Sequence, residues 1–179
     1  IAIWCVSHFL LTNLLLDTLK DSASSRIVNV SSTAHKCGKI KFNDLNNDKT
    51  YELGEAYAQS KLANILFTKE LANKLKGTGV TVNYLHSGIV QTEIMRHVGI
   101  YQNLLGRLTV DTLTWLFIKT PIKGAQSALF AASDPSLDDV TGECFINDKV
   151  ADVSNEAKND KVIKWLWAVS EKCTKLDSV

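Results

Sequence analysis

Apolar residues recur along this chain with two different periods, and those periods divide it into helices and strands. Residues 1–20 are apolar nearly all round, with Phe9, Leu10, Leu14 and Leu16 among them, which predicts a helix packed on two sides. Asp21 to Ser25 is turn chemistry. Arg26-Ile27-Val28-Asn29-Val30-Ser31 is rich in β-branched residues and does not alternate, as in a parallel strand covered on both faces. Residues 33–54 are polar and irregular, though Lys39-Ile40-Lys41-Phe42 alternates and predicts a short edge strand. Tyr57, Leu62, Ile65, Leu66, Leu71 and Leu75 keep helical spacing, which predicts a helix over 55–76 with Gly77 as its stop. Val80–Leu85 repeats the buried-strand pattern. Strand, helix and strand make one right-handed βαβ unit with a parallel pair.

Beyond it, residues 86–119 are variable in character, and 104–118 are strongly apolar: Leu104, Leu105, Leu108, Val110, Leu113, Trp115, Leu116, Phe117, Ile118. A lid over an apolar substrate, a surface touching membrane and a plain core helix all read this way. Thr120-Pro121 has the chemistry of a helix start, and that helix runs to about Ser133, where Asp134-Pro135 stops it. Gly142–Asn147 reads as a last strand. Asn155–Lys172, with Val162, Ile163, Leu166 and Val169 on one face, reads as a final amphipathic helix, in which Trp165 and Trp167 pack. No internal repeat, low-complexity tract or linker interrupts the 179 residues, so they form one domain. The class is α/β: a doubly wound, Rossmann-like sheet of about three parallel strands with flanking helices.

Composition narrows the function. An apolar share of 45% and a charged share of 22% belong to an ordinary globular domain, and a net charge of +1 argues against nucleic-acid binding. Cys5, Cys37, Cys144 and Cys173 lie far apart without a Cys-x-x-Cys, and the four histidines are as scattered, so no metal-ligand spacing occurs and the cysteines read as free thiols. The apolar start has no basic leader or cleavage signature, and Ser7, His8, Thr12, Asn13, Asp17 and Lys20 interrupt it. It reads as a buried helix, neither a signal peptide nor a span.

The chemistry concentrates in Tyr57-Ala58-Gln59-Ser60-Lys61. A spacing of four puts the phenol and the ammonium on one helix face, one turn apart. Positive charge beside a phenol favours phenolate, so the two form a usable acid–base pair. The pair follows a strand ending in Ser31-Ser32 and precedes a strand ending in His86-Ser87-Gly88. In open α/β sheets, ligands bind just beyond such carboxyl ends.

These motifs, in this order, resemble the short-chain dehydrogenase/reductase family, and within it the retinol dehydrogenases of the 11 to 14 type. The 25 positions between Ser32 and Tyr57 fit that branch. The resemblance implies that Ser32 orients and polarises a substrate carbonyl, with Ser31 as the alternative that serves only the backbone. It implies that Tyr57 moves the proton, and that Lys61 holds the nicotinamide ribose. Ser87, Gly88, Val90 and Thr92 join Tyr57 and Lys61 as cofactor contacts. NADP(H) is the expected cofactor, with NAD(H) as the alternative. The expected substrate is a retinoid-like or other apolar alcohol or aldehyde. The branch also implies an intracellular setting at the endoplasmic reticulum or mitochondrial membrane.

Two departures stand out. Ser87 replaces the family's usual proline, which frees φ and restores a donor in the turn. Trp4 stands where the family has an asparagine that supports a water in the proton relay. No Gly-x-x-x-Gly-x-Gly turn for dinucleotide phosphates occurs anywhere in the chain. The expectation is therefore a carboxyl-terminal part of such an enzyme, with the amino-terminal phosphate-binding half missing. The competing readings are an inactive truncated protein acting through partners and a membrane-associated structural protein. His86 reads as structural, with a minor claim to the site.

Overall fold

The computed structural model describes residues 6–88, 90 and 119–176. The segment 104–118 and residues Trp4 and Thr92 lie outside that range. Helix α1 is Ser7–Asp21, strand β1 Ser25–Val30, helix α2 Leu53–Lys74 and strand β2 Val80–His86. Helix α3 is Pro121–Ser133, strand β3 Cys144–Ile146, strand β4 Lys149–Val150 and helix α4 Asp160–Thr174.

The sheet has the order β1-β2-β3-β4, and the first three strands are parallel. Register runs from Ser25 opposite Val80 to Val30 opposite Leu85. The ladder continues past β1, because Ser31 N–H donates to the Leu85 carbonyl at 2.8 Å. Two apolar layers cover the sheet. On one face Phe9 of α1, Phe67 and Leu71 of α2 and Trp167 of α4 pack with Val80 and Val82. The three rings lie 4.9–5.9 Å apart between centroids. On the other face Ala131 of α3 packs with Val28, Leu85, Leu137 and Phe145. Helices on both faces of a largely parallel sheet are the doubly wound arrangement the sequence implies.

Local signals place the helix ends. Glu52 caps α2 through the Gly54 and Glu55 amides, Thr120 caps α3 through Lys123, and Asn159 caps α4 through Lys161 and Val162. Trp167 is buried against Phe9, and Trp165 lies edge-on to Phe42, so both tryptophans pack.

Several sequence expectations are corrected. Lys39–Phe42 forms no strand; the Lys41 amide donates to the Gln59 side chain at 2.8 Å instead of to a neighbouring strand. The last strand of the reading is only Cys144–Ile146, and an antiparallel β4 follows it through Asn147 and Asp148, whose φ values are +51° and +61°. Both central residues at positive φ are the mark of a tight hairpin. Helix α4 begins at Asp160, after a separate 3-10 turn at Glu156–Lys158. Helix α1 is not covered on two sides: Phe9 is its only buried residue. Leu11, Leu14 and Leu15 are 59%, 64% and 46% exposed. Among the described residues, no strand pairs with the second edge of β1. Cys37, Cys144 and Cys173 are free thiols, and burial, followed by nearby Glu143, pushes Cys144 up to about 11.

Candidate active site

The carboxyl ends of β1 and β2 lie side by side, and the predicted residues collect there. Val30 opposes Leu85, so Ser31-Ser32 leaves the sheet next to His86-Ser87. Helix α2 crosses beneath them with Ala58, Leu62, Ile65 and Leu66 buried, which fixes Tyr57 and Lys61 at its amino-terminal half.

Two ties lock that helix to the end of β1. Ser31 is buried, and its hydroxyl donates to the Lys61 carbonyl at 2.9 Å. The Lys61 ammonium in turn lies 3.4 Å from the Val30 carbonyl, as does the amide nitrogen of Asn64. Ser31 therefore does the backbone work that was its alternative role, and Ser32 is left half-buried at the mouth. Lys61 sits 5.6 Å from the centre of the Tyr57 ring, as one helical turn requires. Burial holds the Lys61 pKa below the usual lysine range, because removing an ammonium from water disfavours its charged form. Tyr57 is 41% exposed, so its phenol is open to an incoming molecule.

Ser32 is held by the short 3-10 turn at Thr33–Cys37, which it caps. Its Oγ accepts the Ala34 amide at 3.2 Å. That bond takes up oxygen lone-pair capacity and leaves the hydroxyl hydrogen to donate elsewhere. Gly38 closes the turn directly on α2. A Cβ there would come 2.5 Å from the Ala58 carbonyl oxygen, although φ of −74° is ordinary for any residue.

On the β2 side, Gly88 has φ of +90°, a conformation that favours glycine. The stem of Lys119 lies across it: a Cβ at 88 would be 3.0 Å from Lys119 Cδ and Cε. The Lys119 ammonium donates to Asn147 Oδ1 at 2.7 Å, tying the turn after β2 to the β3–β4 hairpin. Val90 forms a parallel bridge with Lys119, and its side chain lies against Gly124 of α3. His86 has its pKa lowered by burial first, then by the charges of Lys119 and His35. Ser32, Tyr57, Lys61, Ser87 and Gly88 thus belong to one edge of the sheet, while Val90 packs at its margin.

Three residues of this edge were not singled out by the sequence. Gln59 is buried, and its side chain holds the 33–54 insertion to α2 through Lys41 and the Leu45 carbonyl. Lys119 covers the Gly88 turn. His35 is buried under Ser32. The only sequence signal for His35 was its place three residues after the serine, where a side chain reaches back to a turn carbonyl.

The site holds no His, Cys, Asp or Glu cluster suited to a metal ion among the described residues. Its donor set suits the nicotinamide end of a dinucleotide: a hydroxyl, a phenol, a half-buried ammonium and a bare glycine turn, all beyond parallel strand ends.

Comparison with known proteins agrees with the fold. The short chain dehydrogenase family profile matches residues 1–102. Retinol dehydrogenase 14 of Mus musculus is 48% identical over 166 residues, which cover 93% of this chain and 49% of that protein. Retinol dehydrogenase 13 of Homo sapiens is 46% identical over 174 residues, 97% of this chain and 53% of that one. Retinol dehydrogenase 12 of Bos taurus is 49% identical over 165 residues, 92% and 50% of the two chains. The chain spans about half the length of the curated relatives it matches. Among solved structures, an uncharacterized protein from Mycobacterium paratuberculosis superposes with a TM-score of 0.65 at 29% identity, over 95% of this chain and 56% of that one. The RhlG/NADP active-site complex of Pseudomonas aeruginosa superposes with a TM-score of 0.57 at 25% identity, over 78% and 51%. The profile match over more than half of the chain and the doubly wound sheet agree, and this chain belongs to the short-chain dehydrogenase family.

Proposed function

We propose that this chain is the site-bearing part of an NADP(H)-linked oxidoreductase that interconverts an apolar, retinoid-like alcohol and its aldehyde. The carrying observation is the Tyr57–Lys61 pair: an open phenol, with a half-buried ammonium 5.6 Å from its ring, at the end of β1. The retinol dehydrogenase relatives support the substrate class. The Pseudomonas complex supports NADP(H), while the nicotinamide end that these residues would hold is common to NAD(H).

When bound, the cofactor supplies or accepts the hydride. Tyr57 gives the proton to the carbonyl oxygen on reduction and takes the hydroxyl proton on oxidation. The Lys61 ammonium would stabilise negative charge on the phenol oxygen and would hold the ribose hydroxyls of a bound cofactor. Ser32 donates its free hydroxyl hydrogen to the same substrate oxygen. Ser87, Gly88 and Val90 would hold the nicotinamide end, and Thr92 would join them by the family resemblance. Access to membrane-dissolved substrate belongs to the same reading, although no helix among the described residues is long and apolar enough to cross a membrane.

The test is a chimera in which this chain replaces the matched half of retinol dehydrogenase 14, assayed for NADPH-dependent retinal reduction. Tyr57→Phe should lower turnover by roughly 10²–10⁴-fold, the range of a lost general acid. A Tyr57→Phe chimera that kept most of the parent rate would sink the assignment.

A further inference from the structure

His35 carries more than packing. It is 2% exposed, and its imidazole folds back so that Nδ1 lies 2.6 Å from the Ser32 carbonyl oxygen. A carbonyl can only accept, so Nδ1 carries the hydrogen and the ring is the Nδ1–H tautomer. The same carbonyl accepts the His35 main-chain amide at 3.1 Å. One residue therefore places two donors on the carbonyl of the serine that caps its own turn. The cost is visible at the other nitrogen. Nε2 is buried without a hydrogen-bond partner, a lone pair that loses water and gains nothing. A leucine of similar size would fill the space without that cost. What only the imidazole supplies is the second donor to Ser32.

The consequence reaches the hydroxyl. Ser32 has extended backbone, φ −150° and ψ 154°, and its Oγ is anchored by the Ala34 amide of the same turn. Two donors on the carbonyl fix the plane of the peptide that follows Ser32, and Ala34 is one residue beyond. Freeing that peptide frees the turn, and with it the direction in which the Ser32 hydroxyl points. Geometric errors of about 1 Å at a reacting centre cost up to roughly 10²-fold in rate.

We infer that His35 is a positioning residue, which acts through its Nδ1–H bond to the Ser32 carbonyl to aim the Ser32 hydroxyl at the substrate oxygen. This rests on the proposed role of Ser32. The assignment is specific to one ring nitrogen, which makes it separable from a packing role. The amide nitrogen of asparagine can reach the place of Nδ1, while that of glutamine reaches the place of Nε2.

The experiment compares His35→Asn, His35→Gln and His35→Leu in the retinol dehydrogenase 14 chimera, with kcat, KM for retinal and urea midpoint measured for each. His35→Leu and His35→Gln should lower kcat by roughly 10- to 100-fold with little change in KM. His35→Asn should restore kcat to within about threefold of the parent, since it keeps the bond to Ser32. Equal kcat losses in all three variants would overturn the inference, as would an undiminished kcat in His35→Leu. Failure of all three to fold would mark the imidazole as structural, which also overturns it. If His35→Leu alone fails to fold, the contrast between His35→Asn and His35→Gln decides. A parent chimera with no turnover would instead remove the functional reading, and this inference with it. An active parent with no asparagine–glutamine contrast removes this inference alone.

Discussion

Helices α1 and α2 are both apolar, and both lie on the same face of the sheet, yet they live in different surroundings. Helix α2 buries twelve of its 22 residues, including Gln59, Ser60, Asn64 and Thr68. Helix α1 buries one of 15. The polar residues of α2 are covered and mostly partnered, with Asn64 Oδ1 the exception. Asn29 of β1 donates to Thr68 at 2.8 Å, and Thr68 donates to the Asn64 carbonyl at 2.9 Å. The leucines of α1 are uncovered although nothing in their chemistry prefers water. Hydropathy therefore does not tell which surface is covered in this chain; the availability of a matching neighbour does. Among the described residues, the exposed flank of α1 and the unpaired edge of β1 stand beside the well-knit packing of α2.

The largest effect should come from cutting into the matched side. Leu66 is fully buried between α2 and the sheet, so Leu66→Ala should cost about 2–5 kcal/mol in urea unfolding. A cost below about 1 kcal/mol would mean that α2 is looser than described.

Next comes the Asn29–Thr68 tie. Thr68→Val keeps the shape but leaves the Asn29 amide without its acceptor in a buried place. It should cost about 1–3 kcal/mol. The double change Asn29→Val, Thr68→Val should recover part of that loss, since both partners then go. A double variant worse than the sum of the singles would show that the pair does more than satisfy itself.

A third test is pH. Burial lowers the pKa of His35 and of His86 below the ordinary 6.5. As pH falls through that value the unfolded chain takes up protons that the folded chain still refuses. Stability is therefore present in full above about 6.5 and is lost on acidification. The urea midpoint should be lower at about pH 5.5 than at about pH 7.5, and His35→Asn should weaken the difference. A midpoint that rises on acidification would contradict the burial of both rings.

The smallest effect on folding belongs to the unmatched side. Leu14→Ala should change stability by no more than about 0.5 kcal/mol, as exposed sites do. Its effect should instead appear in association. Changing Leu11, Leu14 and Leu15 together to serine should shift the isolated chain toward monomer in size-exclusion chromatography. An unchanged elution profile would show that the exposed leucines drive no contact.

The well-knit side was also the legible side. β-branched runs disclosed β1 and β2 because both strands are built from local preference and continuous burial. The Tyr57–Lys61 turn was legible because four-residue spacing is a property of any helix. What was not legible depends on partners distant in sequence. Lys39–Phe42 alternates like a strand, but the Lys41 amide is claimed by Gln59, 18 positions on. The exposure of Leu11 and Leu14 is set by which elements pack on α1, and their own hydropathy carries no sign of it. Strand β4 is two residues long, too short for any period. His35 escaped because a buried histidine declares itself only through the carbonyl it finds.

Gly38 changes how inherited variation in this protein should be read. Its backbone angles suit any amino acid, so substitution tables would score alanine there as harmless or even mildly stabilising. A methyl group at that point nevertheless runs into the main chain of α2 at Ala58, next to Tyr57. The two backbones must separate to admit it. Alanine at 38 would therefore loosen the packing of the 3-10 turn on α2, although it alters no chemical group.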